Sequence, residues 1–166
     1  MAMADTVDEF LEQWAKQRPD LDVSPMGVIG RLSRASRFAE RSVRAYFAEE
    51  GMEPWEFDVL ATLRRSGPPY TLTPKELVST TMVGSAAMTH RVDRLIARGL
   101  VSRAVDPDNR RRLFVSLTDE GIALVDRVVE GHLANEHRLL EGLDAGEREE
   151  LNRLLRRFLE SLGDHP

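Results

Sequence analysis

The sequence predicts a mainly α-helical fold that carries one small β-hairpin. Two observations lead to this prediction. Apolar residues recur at helical spacing over most of the 166 residues, whereas between Leu100 and Leu117 they follow the alternation typical of strands. Turn and capping residues, such as Gly67-Pro68-Pro69 and Gly99, separate these segments. The element borders can therefore be placed from the sequence.

The N-terminal part, residues 1–50, reads as helical. Val7, Phe10, Leu11 and Trp14 are spaced i, i+3, i+4, i+7, which predicts a short amphipathic helix. Ser24-Pro25 then opens a long helix that ends near Gly51. We expect the apolar stripe of this part to contribute to dimerisation.

The central part, residues 54–117, changes from helix to strand. Pro54 opens one helix, Thr73-Pro74 a short one over Lys75 to Thr81, and Ser85 to Arg98 form a third after a turn at Val83-Gly84. Two short strands follow around the turn residues Asp106 to Asn109. Two helices joined by a turn and followed by a hairpin predict a winged helix-turn-helix.

The C-terminal part, residues 118–166, predicts two more helices. Thr118 caps the first, and Asp144 with Glu147 forms the capping box of the second. Their apolar stripes are narrow for a monomer core, so we expect them to pack against a second subunit. The whole chain, 1–166, is therefore predicted to be one dimer-forming unit.

Composition excludes several classes of function. The chain has no cysteine, which excludes disulfides, cysteine-ligated zinc and thiol redox sensing. No apolar run approaches the ~20 residues of a membrane span, and the N-terminus does not resemble a signal peptide, so we expect a cytoplasmic protein. The net charge is -5, yet Gly84 to Arg112 holds seven arginines and three aspartates. This basic segment favours a nucleic-acid partner.

The helix from Ser85 presents two different faces. At 100° per residue, Met88, Val92, Leu95 and Ile96 face the core, and Arg91 falls on the flank of that buried side. The residues expected to face a DNA groove, together with the wing arginines, are Ser85, Ala86, Thr89, His90, Arg94, Arg110, Arg111 and Arg112, with Asp93 beside them.

The stretch from Phe57 to Gly121 resembles the MarR family of transcriptional regulators. The most specific part is Asp106 to Leu113 followed by Leu117 to Gly121, and Gln13-Trp14, Arg18 to Val23 and Glu56-Phe57-Asp58 are similar to the PecS-like, urate-responsive branch. The wing departs from the family pattern, since Asp108 and Asn109 replace an Arg and an Asp. The minor-groove role therefore falls to Arg110 or Arg111.

The resemblance implies a homodimer that binds a double-stranded, pseudo-palindromic operator, most simply as a repressor, without a cofactor. It also implies a pocket for urate or a related aromatic anion, formed by Trp14, Ser33, Asp58 and Arg91. From the residues alone, Arg91 needs a counter-charge if it leans inward, and Asp58 is a candidate. A structural ion pair and packing of Trp14 in the dimer core are the alternatives.

Three rival interpretations remain. The ligand is another phenolic or aromatic anion, the winged helix serves protein contacts only, or the chain is an enzyme. His132, Glu136 and His137 are the only hint of a metal site, and i and i+5 on a helix lie about 140° apart. Because the sequence also lacks HExxH and a Gly-rich phosphate loop, we expect a regulator and not an enzyme.

Overall fold

The computed structural model describes residues 4–81, 85–106, 109 and 112–164. The turn at Val83-Gly84 and the wing arginines Arg110 and Arg111 lie outside the described residues. None of the described helices is long and apolar enough to cross a membrane. The chain divides into two compact units, one ending at Val43 and the other beginning at Arg44, and each is described by itself.

The secondary structure is mainly α-helical with one small sheet, as the sequence predicts. In chain order the elements are α1 (Thr6–Gln17), α2 (Ser24–Glu49), α3 (Pro54–Arg65), β1 (Thr71–Leu72), α4 (Pro74–Thr81), α5 (Ser85–Ala97), β2 (Val101–Val105), β3 (Leu113–Leu117), α6 (Asp119–Leu139) and α7 (Ala145–Ser161). The predicted borders agree to within one or two residues. Strand β1 was not predicted.

The first unit pairs α1 with the N-terminal part of α2. Asp5 caps α1 by accepting hydrogen bonds from the backbone of Val7 and Asp8. Arg31 on α2 reaches both carboxylates, with N–O distances of 3.0 Å to Asp5 and 2.6 Å to Asp8. The Asp8 carboxylate accepts the backbone N–H of Asp5 at 2.9 Å, and this bond together with the Arg31 guanidinium holds the pKa of Asp8 below its ordinary value. These groups are exposed, so the charges fix the geometry more than they add stability.

The second unit has a core in which α3, α4, α5, α6 and the sheet meet. The fully buried side chains include Leu60 and Leu63 from α3, Leu77 from α4, and Met88 and Leu95 from α5. Burial of each such side chain contributes about 1.5–3 kcal/mol. Ile96 was expected in this core, but it is 36% exposed and lies at the edge of the buried stripe.

The sheet is antiparallel, in the order β1-β3-β2. Strands β2 and β3 form the hairpin, with Val101 opposite Leu117 and Val105 opposite Leu113. The two-residue β1 adds to the far side of β3, where the hydroxyls of Thr71 and Ser116 lie 2.7 Å apart. A segment this short gives almost no alternation to detect, which explains why sequence periodicity missed it.

A close junction joins the end of α5 to the start of α6. Gly99 has φ +72°, the left-handed conformation that ends a helix and suits glycine. The Thr118 hydroxyl donates to the Gly99 carbonyl at 2.7 Å, and the Thr118 N–H donates to the Leu100 carbonyl at 3.2 Å. Gly121 packs directly on the Leu100 carbonyl, so a Cβ there would overlap a backbone atom.

The Gly121→Ala variant tests how tight this junction is. Alanine favours a helix over glycine by up to ~1 kcal/mol, but here the overlap with Leu100 should reverse the sign. We expect a loss of about 1–3 kcal/mol in the free energy of unfolding, measured by denaturant titration. Gly146→Ala is the matched control, because Gly146 also lies in the first turn of a helix. A Cβ added there would lie 3.4 Å from its nearest neighbouring atom, without overlap. Equal stability of the two variants would contradict the packing argument.

Candidate nucleic-acid interface and ligand pocket

Helix α5 presents an exposed polar face, as its periodicity predicts. Met88, Val92 and Leu95 are buried. Ala86, Thr89, His90, Asp93 and Arg94 are exposed and, with Ala97, line an open cavity of about 420 Å³. Ser85 is the first residue of the helix. A helix with one buried side and one polar, exposed side matches the geometry needed to enter a major groove.

Two arginines of this helix share one aromatic ring. The guanidinium carbon of Arg94 lies 4.9 Å from the centroid of the Trp55 ring, and that of Arg91 lies 5.3 Å from it. Trp55 is half-buried at the start of α3. Arg94 therefore combines the predicted outward position with a direct contact to α3.

Arg91 is half-buried, which agrees with its predicted place on the flank of the buried side. Its direct contact is with Trp55, while Asp58, the predicted counter-charge, acts on it electrostatically. Desolvation raises the pKa of Asp58 above its ordinary value, and electrostatic interactions with Arg91, Arg65 and His132 offset part of that rise. The Asp58 carboxylate is thus attracted to Arg91 although it keeps contact with solvent.

A salt bridge connects α5 with the β2–β3 hairpin. Arg103 on β2 donates to the Asp93 carboxylate at 2.6 Å. Asp93 would otherwise place a lone negative charge on the face of α5 that is predicted to meet DNA. The pair neutralises that charge and ties the orientation of the hairpin to that of α5.

Of the three predicted wing arginines, Arg112 lies within the described residues, next to the start of β3. The Arg112 guanidinium lies 5.0 Å from the centroid of the Phe114 ring and 4.0 Å from the Asp106 carboxylate, and the side chain is 52% exposed. The backbone closes the loop through a hydrogen bond from the Asp106 N–H to the Arg112 carbonyl. Arg112 is thus displayed from an ordered position where the hairpin begins to turn.

In the first unit, Trp14 and Ser33 line one cavity of about 430 Å³ between α1 and α2. Trp14 is 45% exposed. The guanidinium of Arg37 donates to the Ser33 hydroxyl at 3.3 Å and to its carbonyl at 3.4 Å. The cavity thus combines apolar walls with a hydroxyl and the cations Arg34 and Arg37. Asp58 and Arg91 belong to the second unit, so the complete four-residue ligand set stays a prediction.

The histidine of the rival enzyme hypothesis is part of an aromatic cluster. His132 lies 5.1 Å from the ring centroids of both Phe47 and Phe57, and its Nε2 is 3.2 Å from the Glu136 carboxylate. Within the described ranges, no three His, Cys, Asp or Glu side chains form a group able to hold a metal ion. His132 therefore contributes to packing between α2, α3 and α6.

Sequence reasoning missed three contacts of this region. They are the Trp55 platform, the Asp93–Arg103 pair, and a pair in which the buried Glu56 carboxylate accepts from Arg98 at 2.7 Å. The i, i+3 spacing of Arg91 and Arg94 was a signal that both would meet the same neighbour. Contacts between α3 and α5 depend on tertiary packing, and periodicity within one helix does not reveal them.

Comparison with known proteins assigns this architecture. The sequence pattern of the MarR family matches residues 50–112. The chain is 42% identical over 151 residues, 91% of either chain, to the HTH-type transcriptional regulator PecS of Dickeya dadantii. It is 32% identical over 145 residues, 85% of this chain and 90% of the other, to the transcriptional repressor NicR of Pseudomonas putida.

A solved structure agrees with this relationship. Bordetella bronchiseptica BpsR, whose DNA binding is regulated by 6-hydroxynicotinic acid, superposes with a TM-score of 0.69 at 27% identity, covering 84% of this chain and 94% of its own. The chain belongs to the MarR family and is a DNA-binding transcriptional regulator, not an enzyme.

Proposed function

We propose that the protein binds a pseudo-palindromic operator as a homodimer and is released from it by a small aromatic anion, urate or a close chemical relative. The exposed polar face of α5, on which Arg94 contacts the Trp55 ring, is the observation that supports DNA binding. Arg94 reads a guanine and His90 and Thr89 lie beside it, while Arg110, Arg111 and Arg112 of the wing contact phosphates or the minor groove. Repression follows most simply from occupying a promoter.

Unpartnered apolar helix faces support the homodimer. Helix α7 has no buried residue; on it and at its C-cap, apolar side chains are between 36% and 66% exposed, namely Leu151, Leu154, Phe158 and the C-cap Leu162. In the first unit, Phe10, Val28 and Ile29 are more than half exposed. A second copy of the chain would cover such stripes. Its two-fold axis would place two copies of α5 about one helical turn of DNA apart.

The proposal that an aromatic anion binds rests on the chemistry of four side chains. Urate is a flat anion that requires a wall, a cation and hydrogen-bonding groups. Trp14 supplies the wall, Arg91 the cation, and Ser33 and Asp58 the polar edge. The Asp58 carboxylate can accept hydrogen bonds from the ring N–H groups of urate.

A hydroxylated pyridine carboxylate is the second candidate for the effector. The structural relative BpsR is regulated by 6-hydroxynicotinic acid, which like urate combines a flat ring with a negative charge. The same four residues would suit it. A winged helix that serves protein contacts alone would lack salt-dependent binding to duplex DNA, and a titration of affinity against salt separates it from a regulator.

Arg94→Ala tests base reading. We expect a loss of about 1–3 kcal/mol in binding to an operator selected from a random duplex pool, and little change on unselected DNA. Fluorescence anisotropy with both duplexes measures the two affinities. Arg153→Ala is the control, because Arg153 is an exposed arginine paired with Glu150 on α7. An equal loss on both duplexes would assign Arg94 to a phosphate contact instead.

Sedimentation equilibrium tests the assembly. The wild-type protein should be a dimer at micromolar concentration. The double variant Leu154→Glu with Phe158→Glu should shift it toward monomer, because two charges would enter the apolar stripe of α7. Glu150→Ala, on the polar side of the same helix, should leave the dimer intact. A folded wild-type monomer would overturn the proposed assembly and its two-fold operator.

Operator binding in the presence and absence of millimolar urate or 6-hydroxynicotinate tests the effector. We expect one of the two anions to dissociate the wild-type complex, and Arg91→Ala or Trp14→Ala to retain DNA binding yet lose that response. Arg65→Ala is the matched control, because Arg65 also acts on Asp58 electrostatically but lies on α3. If the Arg91 and Trp14 variants respond as the wild type does, the proposed pocket is wrong even where the ligand is right.

A further inference from the structure

Trp55 does not belong to the buried core, and the family resemblance assigns it no role. It is only half-buried, and its ring is the common neighbour of Arg91 and Arg94. Residues three apart on a helix are neighbours, so these two guanidiniums extend from adjacent positions on α5 to one ring on α3. The contact therefore links the reading arginine to the arginine proposed to bind the effector.

The contact with Trp55 leaves the hydrogen-bonding capacity of Arg94 intact. A guanidinium is planar and meets an aromatic ring through its face. Its N–H donors point outward in the plane of the group, where they can form the bidentate bond to O6 and N7 of guanine. Arg94 can thus remain on Trp55 while it reads a base, and it loses less rotamer entropy than a free side chain would.

Arg94 also lies on the border between two cavities, so its orientation has to be fixed. One is the cavity of the exposed α5 face, which includes Thr89 and His90. The other, about 400 Å³ in volume, is lined by Arg94 together with Glu53 and Glu56 of the α3 N-terminal region. Because Glu56 is already paired with Arg98, Glu53 is the carboxylate that would draw an unheld Arg94 side chain away from the exposed face of α5. Trp55 lies where it can prevent this.

We propose that Trp55 is the positioning residue of base reading: its ring holds the Arg94 guanidinium toward the DNA face and transmits to Arg94 any displacement of Arg91. This inference rests on the proposed function, in which Arg94 contacts a base and Arg91 binds the effector anion. When the anion draws Arg91 from the ring, the ring is free to move and Arg94 loses its fixed orientation. The effector thereby lowers sequence discrimination.

The test measures how well variants distinguish the selected operator from the same duplex with its guanines replaced one at a time. A cation–π contact at a partly exposed site is worth about a two- to fivefold change in an equilibrium constant. Trp55→Leu should therefore lower discrimination two- to fivefold, and Trp55→Phe, with its weaker ring, should fall between it and the wild type. On the Arg94→Ala background, Trp55→Leu should cause no further loss.

The matched control is Tyr70→Leu. Tyr70 forms the same kind of contact, with the Arg64 guanidinium carbon 4.7 Å from its ring centroid, but Arg64 lies on α3 and pairs with Asp126. Discrimination by this variant should equal that of the wild type. Equal loss of affinity for operator and random DNA in both Trp55 variants would show a structural role and overturn the inference. Additive losses from Trp55→Leu and Arg94→Ala would overturn it as well.

A second measurement tests the link from Arg91 to Trp55, with urate and 6-hydroxynicotinate as the probes. The ratio of operator Kd values with and without the active probe should be at least twofold smaller for Trp55→Leu than for the wild type, and an unchanged ratio contradicts the link to Arg91. If Arg94→Ala discriminates as the wild type does, the proposed base contact has failed. If Arg94→Ala loses discrimination while Trp55→Leu keeps it, the proposed function stands and the role of Trp55 is refuted.

Discussion

The carbonyl of Leu100 is the point on which the DNA-binding lobe depends. It accepts the Thr118 N–H, and Gly121 packs against it, while the neighbouring Gly99 carbonyl accepts the Thr118 hydroxyl. Through these few atoms the end of α5, the start of β2 and the first turn of α6 are fixed to one another. Because interiors and backbones pack densely, a rotation of α5 cannot be absorbed locally and is passed on to both the hairpin and α6.

A second set of contacts fixes α5 along its length against α3 and the sheet. Glu56 holds Arg98 near its end, Trp55 holds Arg91 and Arg94 in its middle, and Asp93 holds Arg103 of β2. Among the residues that the structure describes, the arginines of this helix and hairpin are thus each engaged by a neighbour. The net charge of -5 is compatible with DNA binding because seven arginines and only three aspartates lie between Gly84 and Arg112.

The sequence was sufficient wherever a property is local to one element. The N-cap at Thr118, the capping box at Asp144, the left-handed Gly99 and the buried face of α5 follow from spacing and side-chain chemistry, and the structure agrees. The sequence was insufficient where two elements meet. Ile96 lies on the predicted apolar stripe, yet what packs beside it decides its exposure, and the partner of Arg94 is on a helix about 40 residues earlier in the chain.

The same distinction separates the predicted residues of the site. The outward direction of His90 and Arg94 is a matter of helical phase and could be derived from the sequence. That Asp58 attracts Arg91 without replacing Trp55 as its direct neighbour required the three-dimensional arrangement. The ligand set of Trp14, Ser33, Asp58 and Arg91 draws on both compact units, and it came from resemblance and not from residue spacing. Trp14 and Ser33 line one cavity in the first unit, and Asp58 interacts electrostatically with Arg91 in the second.

Magnitudes explain why contacts of this kind suit a switch. Coupling between a ligand and DNA in allosteric proteins is typically about 1–3 kcal/mol. A buried ion pair broken on one side costs about 3–5 kcal/mol, which exceeds what a small anion can overcome while retaining useful affinity. A cation–π contact at a partly exposed ring is worth about 0.5–1 kcal/mol, and two such contacts on one ring fall within the coupling range. Glu56–Arg98 is therefore suited to hold α5 in place, whereas the Trp55 contacts have the magnitude that the proposed coupling between effector and DNA requires.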